Sequence, residues 1–173
     1  LRRSRGLGDV YKRQIYKHRL SVDDATERLQ EFYYPYHAKL TSLIKQTRDS
    51  FKKVILLDCH SMPYSAITIA KNRDPVEIVL GDCFGRSCEP EIVMELKNLL
   101  TEVGFKVSLN KPFSGGFITR NYANTPNNLY VIQIEILRSL YSYEKQQTKN
   151  SEFLAIQNRL LGAIEQFIKR FEN

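Results

Sequence analysis

The sequence has no tryptophan, only three cysteines, and few glycines and prolines (8 and 6 in 173 residues). Cys59, Cys83 and Cys88 form no CxxC pair and no even disulfide framework, which points to a reducing, cytoplasmic setting. Long hydrophobic runs are missing as well. Stretches such as Val54–Leu57 are far too short to span a bilayer, and no apolar segment follows the basic start as in a secretion signal. Low-complexity tracts and solenoid-length repeats are absent. What remains, 42% hydrophobic and 26% charged, is the composition of one ordinary soluble domain with room for a real core.

Acidic side chains are in deficit, and a formal charge of +7 hints at nucleic acid. The excess is local. Residues 1–14 carry Arg2, Arg3, Arg5, Lys12 and Arg13 against Asp9 alone, a balance of +4, so the rest of the chain holds only +3. The run Ser4–Gln14 (SRGLGDVYKRQ) also reads, codon by codon, as the in-frame translation of a transposase sequencing adapter. Residues 1–14 are therefore expected to be a cloning or assembly scar. On that reading residues 15–173 form a partial single domain whose natural chain continues upstream. A nucleic-acid module would rest almost entirely on this arm.

Ser21, with Asp23, Asp24 and Glu27 behind it, reads as a helix N-cap with acids in the first turn. Apolar residues recur at Leu29, Phe32, Tyr33, Tyr36, Leu40, Leu43 and Ile44, which predicts a long helix to about Phe51, kinked or broken at Pro35. Lys53–Asp58 reads as a strand buried on both faces, Pro63–Pro75 as a loop, and Glu77–Leu80 as a second strand. Glu89–Val103, opened by Pro90 and stopped at Gly104, reads as a helix. Phe105–Leu109 is expected as a third strand, Asn110–Asn121 as a glycine-bearing loop, Tyr130–Ile136 as a fourth strand, and Glu152–Phe171 as a closing helix. This alternation argues an α/β sandwich with a mixed, mostly parallel sheet.

In such sheets chemistry gathers at the carboxyl ends of strands. Three polar clusters are expected there. His60, in Asp58-Cys59-His60-Ser61, sits where a rigid strand fixes an imidazole that suits a metal ligand or a general base. Asp58, two residues earlier, could orient the ring, with Cys59 pointing the other way into the core. Glu135 lies on an otherwise apolar strand, where a carboxylate is costly unless it pairs with Arg138 or Lys111 or serves as a general base. The third cluster, Asn110 to Arg120, joins adjacent glycines that allow close backbone approach to a guanidinium fork suited to a carboxylate. Gly81–Ser87 reads as a further polar loop of no greater specificity.

Taken together, DCHSMP, GDCFGRSC, NKPFSGGFITRNY and QIEILRSLY, in that order, resemble the N-formylglutamate amidohydrolase (N-formylglutamate deformylase) family. The tyrosine-rich Tyr33–His37 segment fits the same pattern, and the resemblance runs from about Ile15 to Tyr143. It implies a three-layer α/β/α core similar to zinc carboxypeptidases and aspartoacylases. It also implies one Zn²⁺ ion, and hydrolysis of N-formyl-L-glutamate to formate and glutamate, in some bacteria the last step of histidine degradation. By position, His60 would be a zinc ligand and Glu135 the general base. Arg120 would bind a substrate carboxylate, with Asn110 and Ser114 lining the site.

Two departures stand out. Family members carry an N-terminal PHxG-like motif and a further ligand, which neither His18 nor His37 reproduces, so this chain alone is expected to have little activity. A chain lacking those strands would also expose a sheet edge or an apolar face. Ala123 replaces a glycine that usually follows the Tyr of the NY pair. Two other readings stay open: a hydrolase of another N-acyl amino acid, and a degenerate binding domain without catalysis.

Overall fold

The computed structural model describes residues 16, 18–69 and 76–171. Residues 1–14, read above as a scar, lie outside this set. The chain divides into two compact units, Leu1–Asp49 and Ser50–Asn173.

In the first unit the expected helix forms, with a detail that the proline explains. Helix α1 (Val22–Arg28) starts at Ser21, whose hydroxyl accepts a hydrogen bond from the Asp24 backbone N–H at 3.0 Å. The helix widens into one π turn (Leu29–Tyr33) before α2 (Tyr34–Ser50). Pro35 cannot donate to the Glu31 carbonyl and its ring crowds that carbonyl, so one wide turn absorbs the clash and the helix continues unbroken. Within this unit the Tyr33 and His37 rings lie 4.2 Å apart between centroids.

The second unit is built on a four-stranded sheet. Its strands are β1 (Val54–Met62), β2 (Ile78–Gly81), β3 (Val107–Leu109) and β4 (Leu129–Leu137), in the order β1-β4-β2-β3. The pairs β1/β4 and β2/β3 are parallel and β4/β2 is antiparallel, so the sheet is mixed as expected. The last part of the chain adds a hairpin that the sequence reading did not foresee, β5 (Ser142–Tyr143) with β6 (Thr148–Lys149).

Side-chain alternation assigns the two faces of the sheet. Tyr130, Ile132 and Ile134 of β4, with Ile78 and Leu80 of β2, pack against α4 (Pro90–Glu102) and α6 (Phe153–Phe171). From α4 come Ile92, Val93, Leu96, Leu99 and Leu100, and from α6 Ile156, Ala163 and Phe167. This is the main core. On the opposite face Met62, Val79 and Leu137 pack with Ala66 and Ile67 of a short helix, α3 (Tyr64–Ile69). Another short helix, α5 (Phe117–Tyr122), packs against β4.

Five expectations are corrected. The stretch after Pro63 is helical at Tyr64–Ile69, and the loop after Asn110 contains α5. β1 runs on past Asp58 to Met62, so His60 lies within the strand and does not follow it. β1 stands at an edge and is only half-buried over Ile55–Asp58, whereas β4 between two neighbours is buried almost throughout. Cys59, expected in the core, is exposed on this edge strand.

Candidate active site

The face opposite α4 and α6 carries the polar cluster. In the parallel pair β1/β4, Asp58 is in register with Gln133 and His60 with Glu135. Side chains in register on neighbouring strands point to the same face and stand about 4.8 Å apart. His60 and Glu135 are therefore side by side, near the carboxyl ends of two strands that run the same way. On the other flank of β4, Glu135 is in register with Val79 and Gln133 with Gly81.

Each side chain has a distinct environment. Nε2 of His60 donates to Oδ1 of Asp58 at 3.0 Å, and the His60 side chain is 47% exposed. That bond holds the imidazole plane through Nε2 and leaves Nδ1 as the ring nitrogen with no hydrogen bond among the described residues. Gln133 and Glu135 are buried, at 4% and 8% exposure. The Gln133 amide donates from Nε2 to Oε1 of Glu135 at 3.0 Å. Burial raises the Glu135 pKa above the ordinary carboxylate range, opposed by the charge of His60 and by the Gln133 hydrogen bond. Neither of the ion pairs weighed for this carboxylate exists among the described residues. Arg138 instead reaches Ser61, with its guanidinium nitrogens 3.2–3.3 Å from the Ser61 oxygens.

The glycine turn and the polar loop come together beside this cluster. A Cβ on Gly81 would lie 2.7 Å from the backbone of Ser114 and Gly115, and one on Gly116 would lie 3.1 Å from Oε1 of Gln133. The turn thus crosses the face at the level of Gln133. β2 and β3 run against β4, so their carboxyl ends point away from those of β1 and β4, and the clusters do not all meet at one edge of the sheet.

Asn110 acts as a clip. Its Oδ1 accepts from the backbone N–H groups of Asp82 (3.1 Å) and Phe84 (3.3 Å), and its Nδ2 donates to Oδ1 of Asp82 at 2.6 Å. This holds Cys83 and Phe84 at positive φ (54° and 57°), which side-chain-bearing residues adopt only at a cost. The Ser114 carbonyl accepts from the Cys83 N–H at 2.6 Å. Arg120 is exposed on α5, with Nη1 donating to the Gly115 carbonyl at 3.0 Å.

Three buried oxygens near this turn have no hydrogen-bond partner among the described residues: Oδ2 of Asp58, Oγ1 of Thr119 and Oε1 of Gln133. Thr119 is fully buried and its side chain lies against Gly115, where a Cβ would be 3.0 Å from Cγ2 of Thr119. Sequence reading missed Gln133, Thr119 and Asp82. For Gln133 the signal was present, since a second polar residue shares the parity of Glu135 on an apolar strand.

A catalytic zinc ion takes about three protein ligands and a water. Among the described residues no group of three or more His, Cys, Asp or Glu is arranged to hold a metal ion. His60 with its Asp58 partner makes one imidazole donor backed by a carboxylate, and these residues do not by themselves fit a zinc centre.

The N-formylglutamate amidohydrolase family model matches residues 2–142, across all four motifs. The chain belongs to the N-formylglutamate amidohydrolase family. It is 29% identical over 136 residues to the N-formylglutamate deformylase of Pseudomonas putida, covering 78% of this chain and 51% of that protein. The Pseudomonas aeruginosa deformylase is 27% identical over 126 residues, with 72% and 47% covered. The chain thus spans about half the length of the curated relatives it matches. The crystal structure of N-formylglutamate amidohydrolase from Ralstonia eutropha superposes with a TM-score of 0.84 at 31% identity, over 92% of this chain and 58% of that one. An Agrobacterium tumefaciens protein at 19% identity shares the fold, with a TM-score of 0.63 over 89% of this chain and 57% of that one. Among the described residues no helix is long and apolar enough to cross a membrane.

Proposed function

We propose that this chain carries part of an amidohydrolase site that cleaves the formyl amide of N-formyl-L-glutamate to formate and L-glutamate. The observation that supports it most is the placement of His60 and Glu135 in register on one face of adjacent parallel strands. A carboxylate made more basic by burial suits a group that takes a proton from the attacking water and returns it to the leaving amine. Water supplies OH to the formyl carbon and hydrogen to the nitrogen, so the products are formate and the free amine. Asp58 would hold the His60 ring in one orientation. The Arg120 fork, swung off the Gly115 carbonyl, would take a substrate carboxylate. Asn110 would act through the loop it pins, and Ser114 would line the cleft.

The zinc ion implied by the family resemblance would take His60 as one ligand. At least two further protein ligands would then have to come from outside the described residues. When bound, zinc lowers the pKa of a coordinated water and polarises a carbonyl. A role in histidine degradation follows if this substrate is the physiological one.

The test compares hydrolysis of N-formyl-L-glutamate, N-acetyl-L-glutamate and N-formyl-L-aspartate, read as release of the free amino acid. Little turnover is expected from the chain alone with added Zn²⁺. Chelator-sensitive turnover of N-formyl-L-glutamate is expected from a version extended to the length of its relatives, and Glu135→Gln should abolish it. Preference for the acetyl substrate would move the assignment to a neighbouring N-acyl amino acid. Ligand binding without turnover in the extended version would favour a degenerate binding domain.

A further inference from the structure

Gln133 opens the QIEILRSLY motif, yet the proposed reaction gives it no role. It is 4% exposed, shares the face of Glu135, and is in register with Asp58 on one side and Gly81 on the other. Its Nε2 is the only hydrogen-bond donor to the Glu135 carboxylate among the described residues, at 3.0 Å. Its own carbonyl oxygen is buried and has no hydrogen-bond partner among the described residues. Burying an amide whose oxygen makes no bond costs stability, so packing alone gives no reason for glutamine at this position. The backbone also keeps the amide in place, because Gly116 passes so close that a Cβ there would sit 3.1 Å from Oε1.

We propose that Gln133 is a positioning residue for Glu135: its amide fixes one carboxylate oxygen so that the other is presented beside His60. A carboxylate at the end of three rotatable side-chain bonds would otherwise sample several orientations, and only those aimed at the shared cleft could move a proton. Holding one oxygen selects the orientation before substrate arrives. A hydrogen bond to a charged oxygen is also stronger than a neutral one, so a single amide is enough to set the rotamer. The inference rests on Glu135 being the general base, and the experiment separates the two claims.

Gln133→Met keeps the shape and removes both polar ends. In enzyme that turns over N-formyl-L-glutamate, this variant should lower kcat by about 10–100-fold, as expected for a misaimed catalytic group. KM should stay within about twofold, because substrate binding is untouched. The unfolding midpoint should stay within about 4 °C of wild type or rise, since the unpartnered oxygen goes with the amide. Unchanged kcat would overturn the proposal. A loss of kcat that follows a falling midpoint would also overturn it and leave Gln133 a structural residue. If Glu135→Gln retains full activity, the general-base reading fails on its own account.

A spectroscopic arm uses this chain alone and needs no turnover. The Gln133 side-chain amide protons should be widely split in the NMR spectrum, one of them shifted downfield by the carboxylate. The splitting should collapse in Glu135→Ala. Signals that ignore that substitution would show that the contact is absent, and the proposal would fall whatever the kinetics.

Discussion

Gly81 lies directly beneath the peptide that joins Ser114 to Gly115, closer than any side chain could tolerate. A methyl at position 81 would be 2.7 Å from the Gly115 nitrogen and from the Ser114 carbonyl carbon, both backbone atoms that cannot rotate aside. Gly81→Ala should therefore destabilise the protein by about 3 kcal/mol or more, by prising the glycine turn off the sheet. Gly162→Ala is the control: it sits in α6 with nothing within 4 Å of a new Cβ, and should stabilise by about 0.5–1 kcal/mol. Urea denaturation of both variants reads the difference, and equal effects would contradict the packing described.

Asn110→Ala removes three hydrogen bonds at once and leaves the buried Asp82 carboxylate without its amide donor. It also frees Cys83 and Phe84 from a conformation they would not choose alone. A loss of about 2–4 kcal/mol is expected. Hydrogen exchange should quicken in residues 82–87 more than in α4, and uniform quickening would rule out a local clip.

In the main core, Leu96 is fully buried between α4 and the sheet. Leu96→Ala should cost about 2–5 kcal/mol through lost burial and a residual cavity. A fall in the urea midpoint with an unchanged slope would confirm that the cost falls on the folded state.

Glu135 also makes stability depend on pH. Its folded pKa is raised, mainly by burial, so the folded chain holds this proton more tightly than the unfolded chain does. Its contribution is complete below the unfolded carboxylate value of about 4.3 and is lost as pH climbs through the raised folded value. Glu135→Gln removes that loss. The variant should therefore gain stability relative to wild type as pH rises from about 4 towards 7. A difference between the two urea midpoints that stays flat over that range would contradict a buried, destabilised carboxylate.

Much of the architecture could be read along the chain. Periodicity located β4, α4 and α6 to within a residue or two, because each buries one regular face in the main core. The short elements escaped. α3 and α5 have six residues each, too few for a repeating pattern, and they form because the sheet face beneath them needs cover.

What the chain determined by itself is local: which residues alternate, where Ser21 caps a helix, and that polar side chains interrupt apolar strands at Asp58, His60 and Glu135. Which of these meet was decided by strand order and register. β1 and β4 are more than sixty residues apart in the sequence, yet pairing them in parallel puts His60 beside Glu135. The reversed run of β2 then brings Gly81 and the glycine turn against Gln133. Residue spacing cannot encode that arrangement, because a shift of one residue in register would turn the same carboxylate into the opposite layer.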